Sequence, residues 1–338
     1  MKRIYVFWLV LLAITPITIE ANTLESELND KVVKIIEQFQ TQHGFNGSIA
    51  IKLKANPIFT YSVGYQTQNT KLNAEHLFSS GSVGKEFTTV ALLKLIDESR
   101  LTLDDLIGKY IPTLPPWGQK IKVKHLLSHT SGLPKISWKN NITTQDVMDQ
   151  VMALQVLEFP PGTDYLYGNI NVMLRAKIVE NITGQEFDKY LKDHFLDPLG
   201  MTNTIQSVTI NQSKQQVAGD YPTAINGVTI YTTTSDLLLW EMALLDGKAL
   251  NGKSVLRYIS KHKLSGKPNH IEYDFGQFYM ENEKISAIKH DGSNPSHHVL
   301  KYTNLTSQLS LVVMSSDGNK NLLYLIKDDI EALFQSIN

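Results

Sequence analysis

A serine and a lysine three residues apart can act as a nucleophile and its base. This sequence of 338 residues holds three such pairs, Ser82–Lys85, Ser260–Lys263 and Ser286–Lys289. The spacing alone is weak, because roughly one copy is expected by chance in a chain this long, so context has to choose. Ser286 and Lys289 lie in a predicted strand, where successive side chains point to opposite faces and positions three apart cannot meet. Ser260 and Lys263 sit at the polar end of a helix rich in Lys and His, where both are solvated and the lysine stays protonated. Ser82 follows Ser79-Ser80-Gly81 and opens the stretch VGKEFTTVALLKLIDE, apolar around most of its circumference and so predicted as a helix buried on nearly all sides. There positions 82 and 85 share a face, with Cβ atoms about 5–6 Å apart. Ser82 Oγ sits near free backbone N–H groups, while apolar surroundings disfavour the charged form of Lys85. A neutral amine is a competent base for a serine. The plainer reading is that Ser82 caps the helix and Lys85 snorkels to water.

Two further short segments carry suitable groups. Tyr167-Gly168-Asn169 lies in PPGTDYLYGNINVML, a turn-rich approach to a helix. Its phenol suits proton relay between Ser82, Lys85 and a leaving group, and the Asn169 amide can accept from Lys85 and donate to a substrate carbonyl. Lys289-His290-Asp291-Gly292-Ser293 ends a predicted strand. Gly292 allows close backbone approach, the N–H groups of Ser293 and Ser82 can form an oxyanion hole, and His290 can supply a donor or positive charge beside Tyr167. Taken singly, each segment reads equally as an ordinary turn.

Together and in this order, the three segments resemble the serine hydrolases related to class C β-lactamases and D-alanyl-D-alanine carboxypeptidases. The resemblance spans almost the whole chain after its N-terminus, through GFNGSIAI, LFSSGSVGKEFTTVALLKL, LTLDDLIGKYIP, HLLSHTSGLP, PPGTDYLYGN, ITGQEFDKYL, DPLGMTNT, IYTTTSDLLLW and KHDG. It implies Ser82 as acylated nucleophile, Lys85 as base, Tyr167 and Asn169 as second motif, and His290-Asp291-Gly292 as third, with the backbone N–H groups of Ser82 and Ser293 as oxyanion hole. No metal or organic cofactor is implied. The fold it implies is α/β, a mixed lobe with a central antiparallel sheet flanked by helices plus an inserted all-helical lobe, with the site between them.

This sequence departs from the best-known members at three places. Gly168 stands where Ser or Ala is usual, and His290 where classical β-lactamases have Lys, which looks more like the carboxypeptidase and esterase branches. Asp291 occupies the place where a Thr often helps to bind a substrate carboxylate. If its carboxylate points into the cleft it repels such a group; if strand alternation turns it away, nothing follows. The expected reaction is hydrolysis of an ester, amide or D-amino-acid peptide, in preference to β-lactam hydrolysis. The rival from another class is a catalytically silent penicillin-binding fold with a binding or sensing role. A metal site at His290, His297 and His298 is disfavoured, because these straddle a loop and a strand without the carboxylate spacing of a catalytic zinc.

The elements that must position these groups follow from periodicity. Val32, Val33, Ile35, Ile36 and Phe39 mark a helix over 24–41, and FNGSIAIKL and IFTYSVGY two strands. Residues 100–230 read as helices and loops with few strand signals, including Val123–His129, Thr144–Leu154, Asn171–Asn181 and Glu186–Phe195. A helix ending at Gly247 follows, then strands Phe275–Met280, Lys284–His290, His298–Tyr302 and Leu309–Met314, and a helix from Asn321 to Gln335. The expected division is an α/β lobe from about 24–99 and 230–338 around a helical lobe at about 100–229. Lys2-Arg3, the apolar run Ile4–Ile14, Pro16 and Ala21 have the order of a signal peptide over residues 1–21, too short for a spanning helix. Export, cleavage after Ala21 and no stable membrane insertion thereafter are the expectation. With no cysteine, the fold needs no disulfide and a thiolate metal site is excluded. A net charge of -1 leaves no field to recruit nucleic acid, so the expected partner is a small-molecule or peptide substrate. The oligomeric state is left open.

Overall fold

Helical spacing near the N-terminus followed by alternation after Gly44 requires a helix and then a hairpin, and the chain is built so. The computed structural model describes residues 17–137, 139, 142–206, 215–219, 225–228, 230–256 and 274–336. Helix α1 (Ile17–His43) leads into β1 (Gly47–Leu53) and β2 (Phe59–Val63), and then the short strands β3 (Tyr65–Thr67), β4 (Thr70–Lys71) and β5 (Phe78–Ser79). A 3-10 turn, Gly81–Gly84, runs directly into α2 (Lys85–Asp97). Next come α3 (Val123–Leu127), α4 (Thr144–Ala153), α5 (Asn169–Thr183), α6 (Phe187–Leu191) and α7 (Asp197–Leu199), with a π-helical turn over Lys192–Leu196. After β6 (Ile205–Gln206), β7 (Ile230–Thr232) and α8 (Thr234–Asp246) come β8 (Gln277–Glu281), β9 (Lys284–Ser293), β10 (His298–Asn304), β11 (Leu309–Ser315) and α9 (Lys320–Gln335).

Strands from both ends of the chain make one antiparallel sheet in the order β2-β1-β11-β10-β9-β8. The central strand β11 reads LSLVVMS, an almost unbroken apolar run of the kind found where both faces are covered. Leu309, Leu311 and Val313 join Val32 and Ile36 of α1 and Leu323, Ile326 and Ile330 of α9 in one cluster. Val312 and Met314, on the other face, belong to a cluster with Val90 of α2 and Trp240 of α8. That cluster continues into Leu126 of α3, Val147 of α4, Ile178 of α5 and Phe187 of α6, so sheet and helices share a core. Every residue of α2 from Lys85 to Leu93 is buried. Burying one Leu or Phe side chain is worth about 1.5–3 kcal/mol, which is why a helix apolar all round takes the centre.

Two expectations change. Ser82 does not open the helix but lies in the 3-10 turn before it, because Gly81 turns the chain with φ +50°. Residues i and i+3 of a 3-10 turn eclipse one another, so Ser82 still faces Lys85. The third motif ends β9 as expected, though the strand runs on to Ser293 rather than stopping at His290, and the few strand residues expected over 100–230 are those of β6 and the start of β7. The two-residue β6 and the β7 that opens at Ile230, too short to show alternation, join β5 in a small sheet ordered β5-β7-β6. That sheet braces the nucleophile loop. Ser80 N–H donates to Ile230 O at 2.8 Å, and Ile230 N–H donates to Ser80 Oγ at 3.1 Å.

Among the described residues no helix is long and apolar enough to cross a membrane. The run Ile4–Ile14 and the pair Ser260–Lys263 lie outside the described residues, and the cleavage position expected after Ala21 falls within α1.

Candidate active site

The i, i+3 eclipse of the turn and the helical start of α5 bring two side chains to the Ser82 oxygen. Ser82 Oγ accepts hydrogen bonds from Lys85 Nζ at 3.2 Å and from Tyr167 OH at 2.9 Å. Lys85 is only 4% exposed, and its Nζ also lies 5.2 Å from the centroid of the Tyr167 ring. Asn169 is the first residue of α5, and its Oδ1 is buried without a hydrogen-bond partner. The expected bond from Lys85 to Asn169 is not formed, because the lysine is directed to Ser82 Oγ and the Tyr167 ring instead.

Strand β9 docks on the nucleophile turn through two glycines. A Cβ on Gly292 would stand 2.3 Å from Ser80 O and 2.7 Å from Ser82 N, and one on Gly81 would stand 2.5 Å from Ser293 N. Only bare backbone fits at this contact, and it brings the N–H-bearing backbones of Ser82 and Ser293 together as an oxyanion hole requires. Gly292→Ala is expected to separate them and lower kcat by about 10²–10³-fold, the loss typical of an oxyanion donor. Steady-state kinetics beside a circular dichroism melt checks this; a folded variant with parental kcat would show that the contact is dispensable.

Ser82, Tyr165, Tyr167, His290 and Asp291 line one cleft of about 450 Å³. Alternation along β9 sends His290 inward toward α2, where its Nδ1 meets Glu86 Oε1 at 2.6 Å. The carboxylate can only accept, so Nδ1 carries the hydrogen and Nε2 is left for the cleft. Glu86 Oε2 accepts from Lys301 Nζ at 2.8 Å and Trp240 Nε1 at 2.9 Å, and Lys301 reaches Glu241 Oε2 at 2.5 Å. Burial works against the Glu86 charge, but Lys301 and His290 outweigh it and hold the carboxyl below its ordinary range.

Asp291 faces the other way, toward α9, where Lys320 pairs with it. The residue still borders the cleft, with its charge compensated. Burial opposes ionisation there, and the Lys320 ammonium prevails, keeping Asp291 below the usual carboxylate range. Of the two alternatives left open for Asp291, an uncompensated charge repelling a substrate carboxylate therefore loses its ground. The three histidines weighed as a metal site diverge. His290 engages Glu86, and His297 accepts from Ser79 N–H at 3.2 Å and lies 2.9 Å from Ala218 O. His298, two strand positions from Leu300, sits on the sheet face opposite His290.

The match to the family model "Beta-lactamase" runs over residues 32–333. This chain belongs to the Beta-lactamase family. The resemblance drawn from the three motifs is thereby borne out, and with it the mixed α/β fold with its antiparallel sheet. Among its relatives, Protein flp of Staphylococcus aureus (strain N315) is 29% identical over 327 residues, covering 87% of this chain. The chain spans 64% of that relative's length. D-amino acid amidase from Ochrobactrum anthropi SV3, in complex with L-phenylalanine, is similar in structure at TM-score 0.76 and 21% identity, over 92% of this chain and 99% of the amidase. A penicillin-binding protein from Bacillus halodurans is similar at TM-score 0.74 and 20% identity, over 89% of this chain and 98% of that one. The two solved structures thus share the fold of this chain.

In this Beta-lactamase family chain, four buried residues around the site escaped the sequence reading. Glu86 left a signal, since a carboxylate inside a helix apolar all round must be buried with a partner. His129 lay in view within HLLSHTSGLP but without an assigned task. Nothing in the sequence announced Asp274 or Arg175. Arg175 is fully buried and pairs with Asp274, whose Oδ1 meets His129 Nε2 at 3.0 Å.

Proposed function

We propose that this chain is an exported serine hydrolase acting through an acyl-enzyme on Ser82. The observation that carries the reading is the convergence of Lys85 Nζ and Tyr167 OH on Ser82 Oγ. In the first step Ser82 Oγ bonds to the substrate carbonyl carbon while its proton passes to Lys85 Nζ, acting as base, and the oxyanion is held by the N–H groups of Ser82 and Ser293. Tyr167 then delivers a proton to the leaving oxygen or nitrogen, whose bond to the carbonyl carbon breaks, leaving the acyl group on Ser82. Water, deprotonated through the same Lys85–Tyr167 pair, attacks the ester carbon and releases the acid, and Ser82 recovers its proton. His290 and Asn169 orient the substrate across the cleft.

Esters, amides and D-amino-acid peptides are the proposed substrates, and the likeness to a D-amino acid amidase supports the amide branch. The N-terminal segment Lys2-Arg3 with Ile4–Ile14 supports export. Intact-mass measurement after treatment with a fluorophosphonate is expected to show one adduct, mapped to Ser82. Turnover of p-nitrophenyl acetate, D-alanine p-nitroanilide or nitrocefin then ranks the acyl groups. No adduct and no turnover in that panel would leave the silent binding fold as the better account.

A further inference from the structure

We infer that His129 is a positioning residue that holds Tyr167 against Ser82, with Asp274 and Arg175 fixing its ring; this rests on the reading of Tyr167 as proton relay. His129 grips the residues on both sides of that tyrosine. Its backbone O accepts from Leu166 N–H at 2.9 Å, and its ring Nδ1 accepts from Gly168 N–H at 3.4 Å. Its ring packs on the Tyr167 ring itself, with centroids 4.6 Å apart and planes tilted by 41°. Asn171 closes the hold, since its Nδ2 donates to Gly168 O at 3.3 Å while its Oδ1 accepts from Ser131 Oγ at 2.7 Å.

A backbone N–H can only donate, so His129 Nδ1 must be bare and Nε2 must carry the hydrogen. Asp274 Oδ1, 3.0 Å from Nε2, selects that tautomer. Asp274 is fixed in turn by Arg175 and by Thr89 Oγ1, which donates to its Oδ2 at 2.9 Å. Arg175 Nη2 donates to Leu126 O at 2.7 Å, so α2 and α5 reach the carboxylate and α3 holds the arginine. Burial pushes the His129 ring toward its neutral form, against the pull of Asp274.

Two features point past simple stabilisation. A buried ion pair seldom outperforms apolar packing of the same volume, yet Arg175 and Asp274 are kept here. His129 also has φ +54°, a left-handed conformation uncommon for any residue but glycine, and one that Asn, Asp and His adopt more readily than the rest. The imidazole therefore serves what it touches, and it touches Tyr167 and the peptide units beside it.

The variants His129→Gly and His129→Asn separate this role from a structural one, because both suit the backbone. The asparagine Oδ1 reaches roughly where Nδ1 stands and can accept from Gly168 N–H; glycine cannot. His129→Gly is expected to lose about 10²-fold in kcat on p-nitrophenyl acetate, with KM within about threefold, as a misplaced catalytic group does. His129→Asn is expected to stay within about fivefold of the parent. Hydrogen exchange of the Gly168 amide should quicken in His129→Gly and remain slow in His129→Asn, a readout that needs no activity. Parental kcat in folded His129→Gly, unchanged Gly168 exchange in it, or equal losses in both variants would overturn the proposal. Should His129→Gly not fold, Asp274→Asn serves, with faster Gly168 exchange expected and unchanged exchange counting against. A parent enzyme silent toward every substrate but showing the expected exchange pattern would remove the hydrolase reading and leave the hold on Tyr167 standing.

Discussion

Ser82→Ala is expected to abolish the fluorophosphonate adduct and to lower turnover by at least about 10⁴-fold, the scale on which loss of a serine nucleophile acts. Lys85→Ala should lose about 10²–10⁴-fold, as removal of a general base does. Neither should unfold the protein. Ser82 lies in a partly exposed turn, and Lys85 has no carboxylate partner among the described residues whose charge would be orphaned by its loss. Burst kinetics with a p-nitrophenyl ester separates the two: no burst in Ser82→Ala, and a slow acylation phase in Lys85→Ala. A Lys85→Ala variant turning over at the parental rate would remove that lysine from the mechanism, and an adduct persisting in Ser82→Ala would move the nucleophile elsewhere.

The largest stability effect is expected at Glu86. It is wholly buried and serves His290, Lys301 and Trp240 at once. Glutamine can still accept from His290, but its amide nitrogen faces two donors, and Lys301 is left to Glu241 alone. Breaking one side of a buried ion pair costs about 3 kcal/mol or more, so Glu86→Gln should lower the stability of the chain by about that amount at pH 7. The sign with pH follows from linkage. A carboxyl held below its ordinary pKa stabilises the fold above about pH 4, and that contribution is lost as the pH falls through its folded value. Asp274, also held low by Arg175 and His129 against its burial, acts in the same direction. His129, pushed toward neutrality by burial, adds to the acid loss below about pH 6.5, where the unfolded chain takes up a proton that the fold refuses. Stability should therefore decline from about pH 6.5 downward. The gap between parent and Glu86→Gln, read from urea unfolding, should narrow below pH 4. A gap constant from pH 7 to pH 3 would mean that the Glu86 charge contributes nothing to stability.

Much of the fold was legible because its elements obey local periods. α2 is apolar on every side and lies at the centre; β11 is apolar without alternation and is covered on both faces. The strands that escaped were β3 to β7, since two or three residues cannot display a period of two. At the site, the choice of Ser82–Lys85 over Ser286–Lys289 needed only the geometry of turn against strand. The Gly81–Gly292 contact was half visible, because a glycine beside a catalytic segment signals close approach without saying to what.

The sequence by itself determined the chemistry on offer: a serine and a lysine on one turn, a tyrosine before a helix, and a glycine-bearing strand end, in the order of one family. Only the tertiary structure decided how the charges around them are balanced. Asp291 finds Lys320, 29 residues on, and ceases to repel. Glu86 meets Lys301 across 215 residues, and His129 meets Asp274 across 145. Periodicity reports which face of its own element a residue takes, because that depends on the neighbouring turns of backbone alone. Which charge waits opposite depends on how two distant elements pack, and no local pattern carries that information.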